Sequence, residues 1–394
     1  AAYMYAGMAD VAALTGDTAY IHAIDSIWEN IVGKKIYITG GIGARHEGEA
    51  FGDNYELPNL TAYNETCAAI GNVYTNYRLF LLHGDAKYFD VLERTLYNGL
   101  ISGVSLDGGR FFYPNPLACD GKYRFNADHT ITRQPWFGCA CCPSNISRFI
   151  PSLPGYVYAV KDDKVYVNLF LSNRTKLKVN GKNVVLEQET SYPWNGDIRL
   201  TVAKGNQPFV MNVRIPGWVC GSVLPGGLYS YADGEELAYR VSVNGQEVKG
   251  ALQKGYLSID RRWKKGDVVE IHFDMQPRVV KANDKVAADR GRVAIECGPL
   301  VYCAEWPDND FDISTLLLNR HPKFQVVERP DLLGGINEIT TRAQALSYDA
   351  TGRLAAKDVK LTLIPYYAWA HRGEGRMEVW LPIEVGAASA ELQE

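Results

Sequence analysis

The sequence lacks an apolar run long enough to cross a membrane, and it lacks a surplus of basic residues. A membrane helix needs about 20 consecutive apolar residues, and excess positive charge usually marks a surface for nucleic acid or anionic lipid. Here the net charge is −4 and the pI is about 6.0. We therefore expect neither nucleic acid nor a membrane as a partner. The 46% of hydrophobic residues in a chain of 394 fits a globular protein with a large core.

The chain also lacks a visible signal peptide and an initiator methionine. It opens with AAYMYAGMADVAALTG, a stretch with helical character, so we interpret the sequence as a fragment or as a chain without its natural N-terminus. The sequence therefore does not distinguish between the cytoplasm and the periplasm of a bacterium as the cellular compartment.

A nucleotide-binding motif is lacking too, although the segment GGIGARHEGEAFGDNYELPN is rich in glycine. No GKS or GKT ending follows it, and no strand–turn–helix unit frames it. The segment carries acidic residues instead: Glu47, Glu49, Asp53 and Glu56. A carboxylate on such a loop can be aimed into a pocket and shielded from water, as a general acid requires. The alternative is a solvated acidic loop.

Cysteine is scarce, with 8 in 394 residues, yet Cys139, Cys141 and Cys142 share the short segment WFGCACCPSN. A disulfide is disfavoured because adjacent cysteines form a strained ring and a chain of this size has its own core. Zinc favours thiolate ligands, and Glu65 and Cys67 of NETC could complete such a site. Spacing alone leaves zinc ligation and inert buried thiols both open.

The first 105 residues predict helices. TAYIHAIDSIWENIVGKK carries apolar residues at helical spacing and predicts a helix that stops at Gly33, Lys34 and Lys35. Further helices are predicted over about 65–82 and 86–101. LTGDTAY recurs as LHGDAKY at 82–88, which indicates two turns in which a helix ends at glycine and aspartate caps the next. Repeated helical hairpins are typical of a helical toroid, although such turns are common in other folds.

After Pro154 the apolar residues alternate as in strands. GYVYAVKDDKVYVNLFLSN predicts a β-hairpin, and Asn-Gly pairs at 180–181 and 244–245 predict two further hairpin turns. No long helix is predicted between there and residue 384. We therefore predict a multidomain α plus β protein with a helical domain at 1–155 and β-sandwich domains at 156–278 and 279–394.

Several motifs together resemble glycoside hydrolase family 127, the β-L-arabinofuranosidases, and the related family 146. They are TGGIG, GEAFG followed by NYELPN, AYNETCA, RFFYPNPL and WFGCACCPSN, and the resemblance continues through RIPGW and GPLVYCAEW to PYYAWAHRGEGRMEVW. It thus covers nearly the whole chain. The resemblance implies the C-terminal part of an (α/α)₆ barrel followed by β-sandwich domains, with further residues upstream in family members that supply the first barrel helices.

The resemblance also implies a retaining hydrolase that releases L-arabinose from β-L-arabinofuranosides by means of a zinc-bound cysteine. It assigns the zinc ligands to Glu65, Cys67, Cys141 and Cys142, the nucleophile to Cys141 and the acid/base to Glu49. It also places two residues at the sugar, Tyr113 and Cys139. His46, three residues before Glu49, is a further candidate for sugar contact, with a local hydrogen bond as the alternative.

The expected partner is a plant-type arabinofuranosyl oligosaccharide or glycopeptide, and a homodimer through the sandwich domains is left open. Two alternative hypotheses about the function remain. In the first, zinc is structural and Glu49 acts with a second carboxylate, Asp53 or Glu56. In the second, the chain is an inactive carbohydrate-binding fragment.

Overall fold

The computed structural model of the chain describes residues 1–389, so the predicted end of the last domain, 390–394, lies outside the described residues. Its helices precede its main β-sheets, with one short helix at the end. The helices are α1 Ala2–Thr15, α2 Thr18–Lys34, α3 Thr66–His83, α4 Lys87–Arg94, α5 Cys141–Phe149, α6 Pro154–Val157 and α7 Val385–Ser389. Helix α4 continues directly into a π-helical segment, Thr95–Leu100.

The repeated turn is confirmed by the backbone. Gly16 and Gly84 both adopt a left-handed conformation, at φ 69° and 65°, where a glycine avoids the strain of a Cβ. The Asp17 side chain caps α2 by accepting a hydrogen bond from the N–H of Ala19 at 2.8 Å. Helices α1 and α2 therefore form one hairpin, and α3 and α4 form another.

The predicted stop of α2 at Gly33, Lys34 and Lys35 is confirmed, because the helix ends at Lys34 and Lys35 is its C-cap. The backbone at Gly33 lies against Gly226, in a turn of the following β-sheet region: a Cβ on Gly226 would lie 2.8 Å from the Gly33 nitrogen. Gly226 thus serves close packing between that turn and the end of α2.

Helix α3 packs against α1 and is hydrogen-bonded to both α1 and α2. The Thr75 hydroxyl donates to the Ala2 carbonyl at 2.9 Å, and the Trp28 indole N–H donates to Asn76 Oδ1 at 2.8 Å. Trp28 belongs to the apolar face of α2 that the periodicity predicted, and it is buried. The N-terminus of α3 is consequently held rigidly, which matters because the candidate site is built on it.

The strands begin before α5, and most of them follow α6. The first twelve are β1 Ala118–Cys119, β2 Tyr158–Lys161, β3 Lys164–Val167, β4 Asn173–Val179, β5 Lys182–Thr190, β6 Asp197–Lys204, β7 Asn206–Arg214, β8 Tyr229–Tyr231, β9 Tyr239–Val243, β10 Gln246–Glu247, β11 Tyr256–Lys264 and β12 Val268–Phe273. The rest are β13 Pro277–Ala282, β14 Arg292–Cys297, β15 Leu300–Glu305, β16 Leu316–Leu318, β17 Gln325–Arg329, β18 Ile336–Tyr348, β19 Leu354–Pro365, β20 Met377–Glu378 and β21 Leu381–Pro382.

The described strands form three sheets. A 6-stranded sheet has the order β10-β9-β12-β6-β5-β4, and a 4-stranded sheet has the order β11-β7-β3-β2. An 11-stranded sheet follows the path β16-β18-β19-β15-β14-β13-β8, with β1, β17, β20 and β21 paired beside it. With the exception of β1 and β8, the strands up to β12 belong to the two smaller sheets and those from β13 onwards belong to the large one, in which β8 pairs with β13. Short strand β1 of the helical region also joins the large sheet by pairing with β20.

The predicted hairpin turns are confirmed. Asn180 and Gly181, with φ of 48° and 73°, join β4 to β5, and Asn244 and Gly245, with φ of 51° and 78°, join β9 to β10. Positive φ at both central residues is the geometry that matches the twist of paired strands. Between α6 and residue 384, the described chain contains only short helical turns, as predicted.

Helix α4 joins the helical region to both β-sheet regions through buried charges. Arg214 at the end of β7 is fully buried and donates to Asp90, at 2.8 Å, and to Glu93. On the same helix, Arg94 forms a buried ion pair with Glu296 of β14 at 2.6 Å. Charges this deeply buried are tolerated because each has an opposite partner.

We predict that Arg214→Met lowers the free energy of unfolding by about 3–5 kcal/mol, because Glu93 then keeps a buried charge without its cation. The matched control is Arg199→Met, which breaks an exposed pair with Glu270 and should cost about 1 kcal/mol or less. Denaturant unfolding followed by tryptophan fluorescence measures both. Equal effects of the two substitutions would contradict the role assigned to Arg214.

Candidate active site and metal centre

Four side chains from two helix N-termini converge on one point. Glu65 immediately precedes α3 and Cys67 lies in its first turn, while Cys141 and Cys142 begin α5. One carboxylate oxygen and three Sγ atoms from these residues all lie within 4.8 Å of one another. The structure therefore brings together the four residues that the sequence motifs suggested.

The donor set fits a tetrahedral zinc ion. The two Sγ atoms of Cys141 and Cys142 are 3.8 Å apart, and Glu65 Oε1 lies 3.6 and 3.5 Å from them. Zinc–sulfur bonds of about 2.3 Å and zinc–oxygen bonds of about 2.0 Å at tetrahedral angles separate ligand atoms by about 3.8 and 3.5 Å. Thiolates with one carboxylate also suit a soft divalent ion better than magnesium or calcium.

The electrostatics of the cluster also favour a cation. Burial, followed by the negative charges of Glu49 and Cys141, raises the pKa of Glu65 to about 7. A hydrogen bond from Cys142 lowers the pKa of Cys141 below that of a free thiol, and the same bond raises the pKa of Cys142. The position of Cys141 at a helix N-terminus stabilises a thiolate as well. A bound cation would relieve the repulsion among these groups.

Hydrogen bonds tie this cluster to the segment that carries Tyr113. The Thr66 N–H donates to the Tyr113 carbonyl at 3.0 Å, and the Thr66 hydroxyl donates to the Phe112 carbonyl at 2.9 Å. The buried Asn115 amide donates to the Asn64 carbonyl at 2.9 Å. The Tyr113 hydroxyl is consequently placed beside the ligand cluster.

Arg133 anchors the same segment to the C-terminal sheet region. Its buried guanidinium donates to the carbonyls of Ser102, Trp369 and Tyr367 at 2.9, 2.6 and 3.1 Å. It also lies over the ring of Phe112, 4.3 Å from the centroid. Arg133 therefore links the segment around Tyr113 to residues 367–369 of the C-terminal region.

Glu49 lies on the glycine-rich loop and faces the cluster across Tyr113. Its Oε1 accepts hydrogen bonds from the Tyr113 and Tyr63 hydroxyls at 2.9 and 3.0 Å. The Tyr113 hydroxyl is also 3.3 Å from Cys141 Sγ. Contacts of 2.9 and 3.3 Å to one oxygen place the carboxylate at most about 6.2 Å from the sulfur, near the spacing of about 5 Å between catalytic groups in retaining glycosidases.

The loop places Glu49 by an unusual backbone conformation. Gly48 and Glu49 both have positive φ, at 70° and 49°, and a non-glycine residue rarely adopts it. Such strain persists where the surrounding structure enforces it, often at functional sites. The side chain is exposed at the rim of the pocket, so it is less shielded than the sequence suggested.

The remaining predicted site residues lie around this centre. Cys139 Sγ is 3.9 Å from both Cys141 Sγ and the Tyr113 hydroxyl. His46 packs edge-on against Tyr63, with ring centroids 5.0 Å apart, and lines a neighbouring cavity. A main cavity of about 940 Å³ contains Glu49, Glu65, Cys67, Tyr113, Cys139 and Cys141 among its lining residues.

The alternative carboxylates have other partners. Arg45 binds Glu56 at 2.5 Å and Asp53 at 3.1 Å, and its hydrogen bond lowers the pKa of Glu56 to about 2. Neither Asp53 nor Glu56 lines the main cavity. A pairing of Glu49 with Asp53 or Glu56 therefore has little support from the geometry.

Sequence reasoning missed Tyr63, the second hydrogen-bond donor to Glu49, and Tyr3. The Tyr3 hydroxyl donates to the Cys67 carbonyl at 3.0 Å and accepts a hydrogen bond from Asn145. Tyr63 stands two residues before Glu65 in AYNETCA, which is the one signal that could have drawn attention to it. Nothing in the spacing points to Tyr3.

All eight cysteines are free thiols, so the disulfide that the sequence disfavoured is absent from the described residues. Within residues 1–389, no helix combines the length and the apolar character that crossing a bilayer requires. The cluster of one carboxyl group with three thiols, Glu65 with Cys67, Cys141 and Cys142, is consequently the feature whose chemistry needs an explanation.

Comparison with known proteins identifies the chain. Residues 2–155 match the profile of the β-L-arabinofuranosidase GH127 catalytic domain, residues 164–275 match the GH127 middle domain, and residues 277–382 match the family 127 C-terminal domain. These three matches define the class as glycoside hydrolases. The chain belongs to glycoside hydrolase family 127.

Individual relatives support the same family assignment. The chain is 36% identical to a non-reducing end β-L-arabinofuranosidase of Bifidobacterium longum, over 96% of this chain and 58% of that protein. A solved GH127 β-arabinofuranosidase is 74% identical with a TM-score of 0.95, covering 98% of this chain and 60% of that one. A GH127 β-L-arabinofuranosidase from Geobacillus stearothermophilus is 40% identical with a TM-score of 0.89, covering 97% and 59%. The chain thus spans about three fifths of the length of these relatives.

Proposed function

We propose that the protein containing this chain is a retaining hydrolase of non-reducing-end β-L-arabinofuranosides. The observation that carries the proposal is the Tyr113 hydroxyl, which contacts both Glu49 and Cys141 beside a partly buried cluster of thiols. A thiolate and a carboxylate on two sides of one pocket are the two groups that a retaining mechanism needs. We infer the identity of the sugar from the names of the relatives, which are β-L-arabinofuranosidases.

We propose that zinc is held by Glu65, Cys67, Cys141 and Cys142, the set whose spacing fits a tetrahedral ion. When bound, zinc would keep these thiols deprotonated at neutral pH, where a free cysteine is mostly protonated. The chain's contribution is to fix the two helix N-termini that present the four ligands.

In the proposed reaction, Cys141 Sγ forms a bond to the anomeric carbon while the glycosidic C–O bond breaks. The leaving oxygen keeps the bonding electron pair and takes a proton from Glu49. Glu49 then accepts a proton from water as the water oxygen attacks the same carbon and the C–S bond breaks. This restores the thiolate and releases L-arabinose with retained configuration. Tyr113 would orient both reacting groups, and Cys139 and His46 would border the sugar.

We further propose that α1 to α5 form the C-terminal part of an (α/α)₆ barrel and that the sheets form two β-sandwich domains, 156–278 and 279–394. The substrate would be a plant-type arabinofuranosyl oligosaccharide or glycopeptide. The homodimer and the bacterial cytoplasm or periplasm stay predictions.

The test is hydrolysis of p-nitrophenyl β-L-arabinofuranoside by the natural full-length protein, with metal analysis. We expect about one zinc per chain, and we expect activity to fall in step with zinc content as a chelator removes it. Proton NMR of the first product in added methanol should show methyl β-L-arabinofuranoside. An inverted product, or full activity after zinc is gone, would contradict the proposal. Asp53→Asn, a change to an exposed carboxylate outside the main cavity, should leave activity unchanged.

A further inference from the structure

A buried hydrogen bond joins the helical region to residues 277–382, which match the C-terminal domain of the family. Asp289 ends a short helical turn, Ala287–Asp289, that precedes β14, and the residue is only 5% exposed. Its carboxyl group accepts a hydrogen bond at 2.9 Å from the side-chain amide of Asn59, which lies 230 positions earlier in the chain. We call this contact the latch, because it connects two parts of the protein that are distant in sequence.

The segment that begins at Asn59 ends at a residue that contacts Glu49. The carbonyls of Asn59 and Tyr63 accept hydrogen bonds from the N–H groups of Leu117 and Asn115, at 3.0 and 3.1 Å. The Tyr63 hydroxyl in turn donates to Glu49. The latch therefore fixes one end of a short segment whose other end holds the side chain of Glu49.

The hydrogen bonding of the latch is incomplete. Asn59 Oδ1 is buried and accepts no hydrogen bond from any of residues 1–389, which is costly for a buried oxygen. An ionised carboxylate cannot supply a donor to this oxygen, because it is an acceptor only. A protonated carboxyl group can, since its O–H donates to the amide oxygen while its carbonyl accepts from the amide N–H.

We propose that Asn59 and Asp289 form a proton-controlled latch between the C-terminal domain and the segment 59–63. With a proton on Asp289 Oδ2, the O–H donates to Asn59 Oδ1 and the existing bond from Asn59 Nδ2 to Oδ1 of the carboxyl group is kept. Without that proton, a buried negative charge has one amide donor and the Asn59 oxygen has none. The latch is thus strong in the protonated form and weak in the ionised form.

Burial favours the protonated form. It raises the pKa of Asp289 to about 7, against the smaller opposing effects of the Asn59 hydrogen bond and the Arg292 charge. An aspartate in an unfolded chain has a pKa of about 3.9. Because the pKa is higher in the folded protein, the stabilisation is fully present below about pH 4 and is lost as the pH rises through about 7.

The other ionisable groups near Asp289 do not complete the latch. Arg292 directs its guanidinium to two backbone carbonyls. The buried Tyr229 hydroxyl donates to the Ile36 carbonyl at 2.9 Å. The buried Tyr37 hydroxyl has no hydrogen-bond partner in the part of the chain that the structure describes, and burial, followed by the charge of Asp289, raises its pKa. None of these groups donates to Asn59 Oδ1.

A cavity of about 640 Å³ lies beside Asp289 and brings further charges near it. It contains the ion pair of Arg278 with Asp233. Its other ionisable side chains are exposed, and they are Lys281, Asp284, Arg290, Arg320, His321 and Glu384. Because water and salt screen exposed charges, burial is the dominant influence on the protonation of Asp289.

Hydrogen–deuterium exchange of the natural full-length protein measures the latch. The reporter amides are those of Asn115 and Leu117, which are bonded to the segment 59–63 and alternate with prolines that have no N–H. After correction for the intrinsic effect of pH, their exchange rate reports how often the segment detaches. We expect about tenfold more frequent detachment at pH 8 than at pH 6, because the ratio of protonated to ionised Asp289 falls from about 10 to about 0.1.

Asp289→Asn is the informative variant, since the introduced amide is uncharged and can donate to Asn59 Oδ1 at every pH. The corrected exchange rate should then be the same at pH 6 and pH 8, and at pH 8 it should be about tenfold slower than in the unaltered protein. Asp284→Asn is the matched control, because Asp284 is an exposed aspartate five positions earlier. It should keep the pH dependence of the unaltered protein.

The measurement on the unaltered protein decides the matter even without the variant. A corrected exchange rate that does not change between pH 6 and pH 8 would overturn the latch. So would an Asp289→Asn variant that keeps the original pH dependence or that exchanges faster than the unaltered protein at pH 8. Exchange needs no substrate, so a failure of the latch is distinguishable from a failure of the proposed function.

Discussion

Replacement of Cys141 by alanine is expected to reduce hydrolysis of β-L-arabinofuranosides by at least about 10³-fold, because the atom that attacks the anomeric carbon is removed. The zinc content should fall as well, since one of the four converging ligand atoms is lost. Steady-state kinetics and elemental analysis of the same preparation of the natural full-length protein measure both effects. A loss of both hydrolysis and zinc content is expected of a residue that serves as metal ligand and as nucleophile.

The control for this substitution is Cys220→Ala, which removes a half-buried thiol far along the chain in the β-sheet region and should change activity by about twofold or less. Covalent labelling separates the two roles of Cys141. A haloacetamide or epoxide analogue of the sugar should attach to Cys141 in the unaltered protein. Labelling of Asp53 or Glu56, or near-normal turnover by Cys141→Ser, would refute the nucleophile.

The order of elements was largely predictable because it depends on local signals. These signals are the left-handed glycines before α2 and α4 and the Asn-Gly turns between strands. They act within a few residues, so they can be recognised in the sequence. The close approach of Gly226 to Gly33 was not predictable in this way. The two glycines are almost 200 positions apart, and a local rule has no access to such a contact.

The metal centre was predictable only in part. The residue types suggested zinc, but Cys67 and Cys141 are 74 positions apart, and spacing could not show that the two helix N-termini meet. Their meeting depends on bonds made by Thr66 and Asn115, which hold the intervening segment against α3. The resemblance supplied the ligand set that local reasoning left open.

One glycine of the glycine-rich loop is needed for close packing, and the sequence alone could not distinguish that role from a role in function. Gly40 has φ of 76°, and a Cβ there would lie 2.5 Å from Thr95, so the loop lies directly on the π-helical segment after α4. This contact anchors the beginning of the loop, and Glu49 projects from its other end. Tyr63 was missed because its partner, Glu49, is 14 residues away in an irregular segment.

Glu49→Gln is expected to lower turnover of alkyl-linked arabinofuranosides by about 10²–10⁴-fold and to leave the zinc content unchanged. The amide cannot donate a proton to the leaving oxygen, yet Glu49 does not belong to the metal cluster. With p-nitrophenyl β-L-arabinofuranoside, whose leaving group departs without an acid, a burst of nitrophenol should precede slow turnover. The burst arises because the second step still needs Glu49 as the base for water.

Glu47→Gln is the matched control, since Glu47 lies in the same helical turn but lines neither the main cavity nor the neighbouring one that His46 lines, and it should leave activity intact. Azide, which attacks without a base, should restore turnover of the aryl substrate by Glu49→Gln and yield β-L-arabinofuranosyl azide with retained configuration. A variant that loses zinc would show that Glu49 acts through the metal cluster instead. Undiminished turnover of alkyl-linked substrates would exclude Glu49 as the acid and shift attention to the Tyr63 and Tyr113 hydroxyls that surround it.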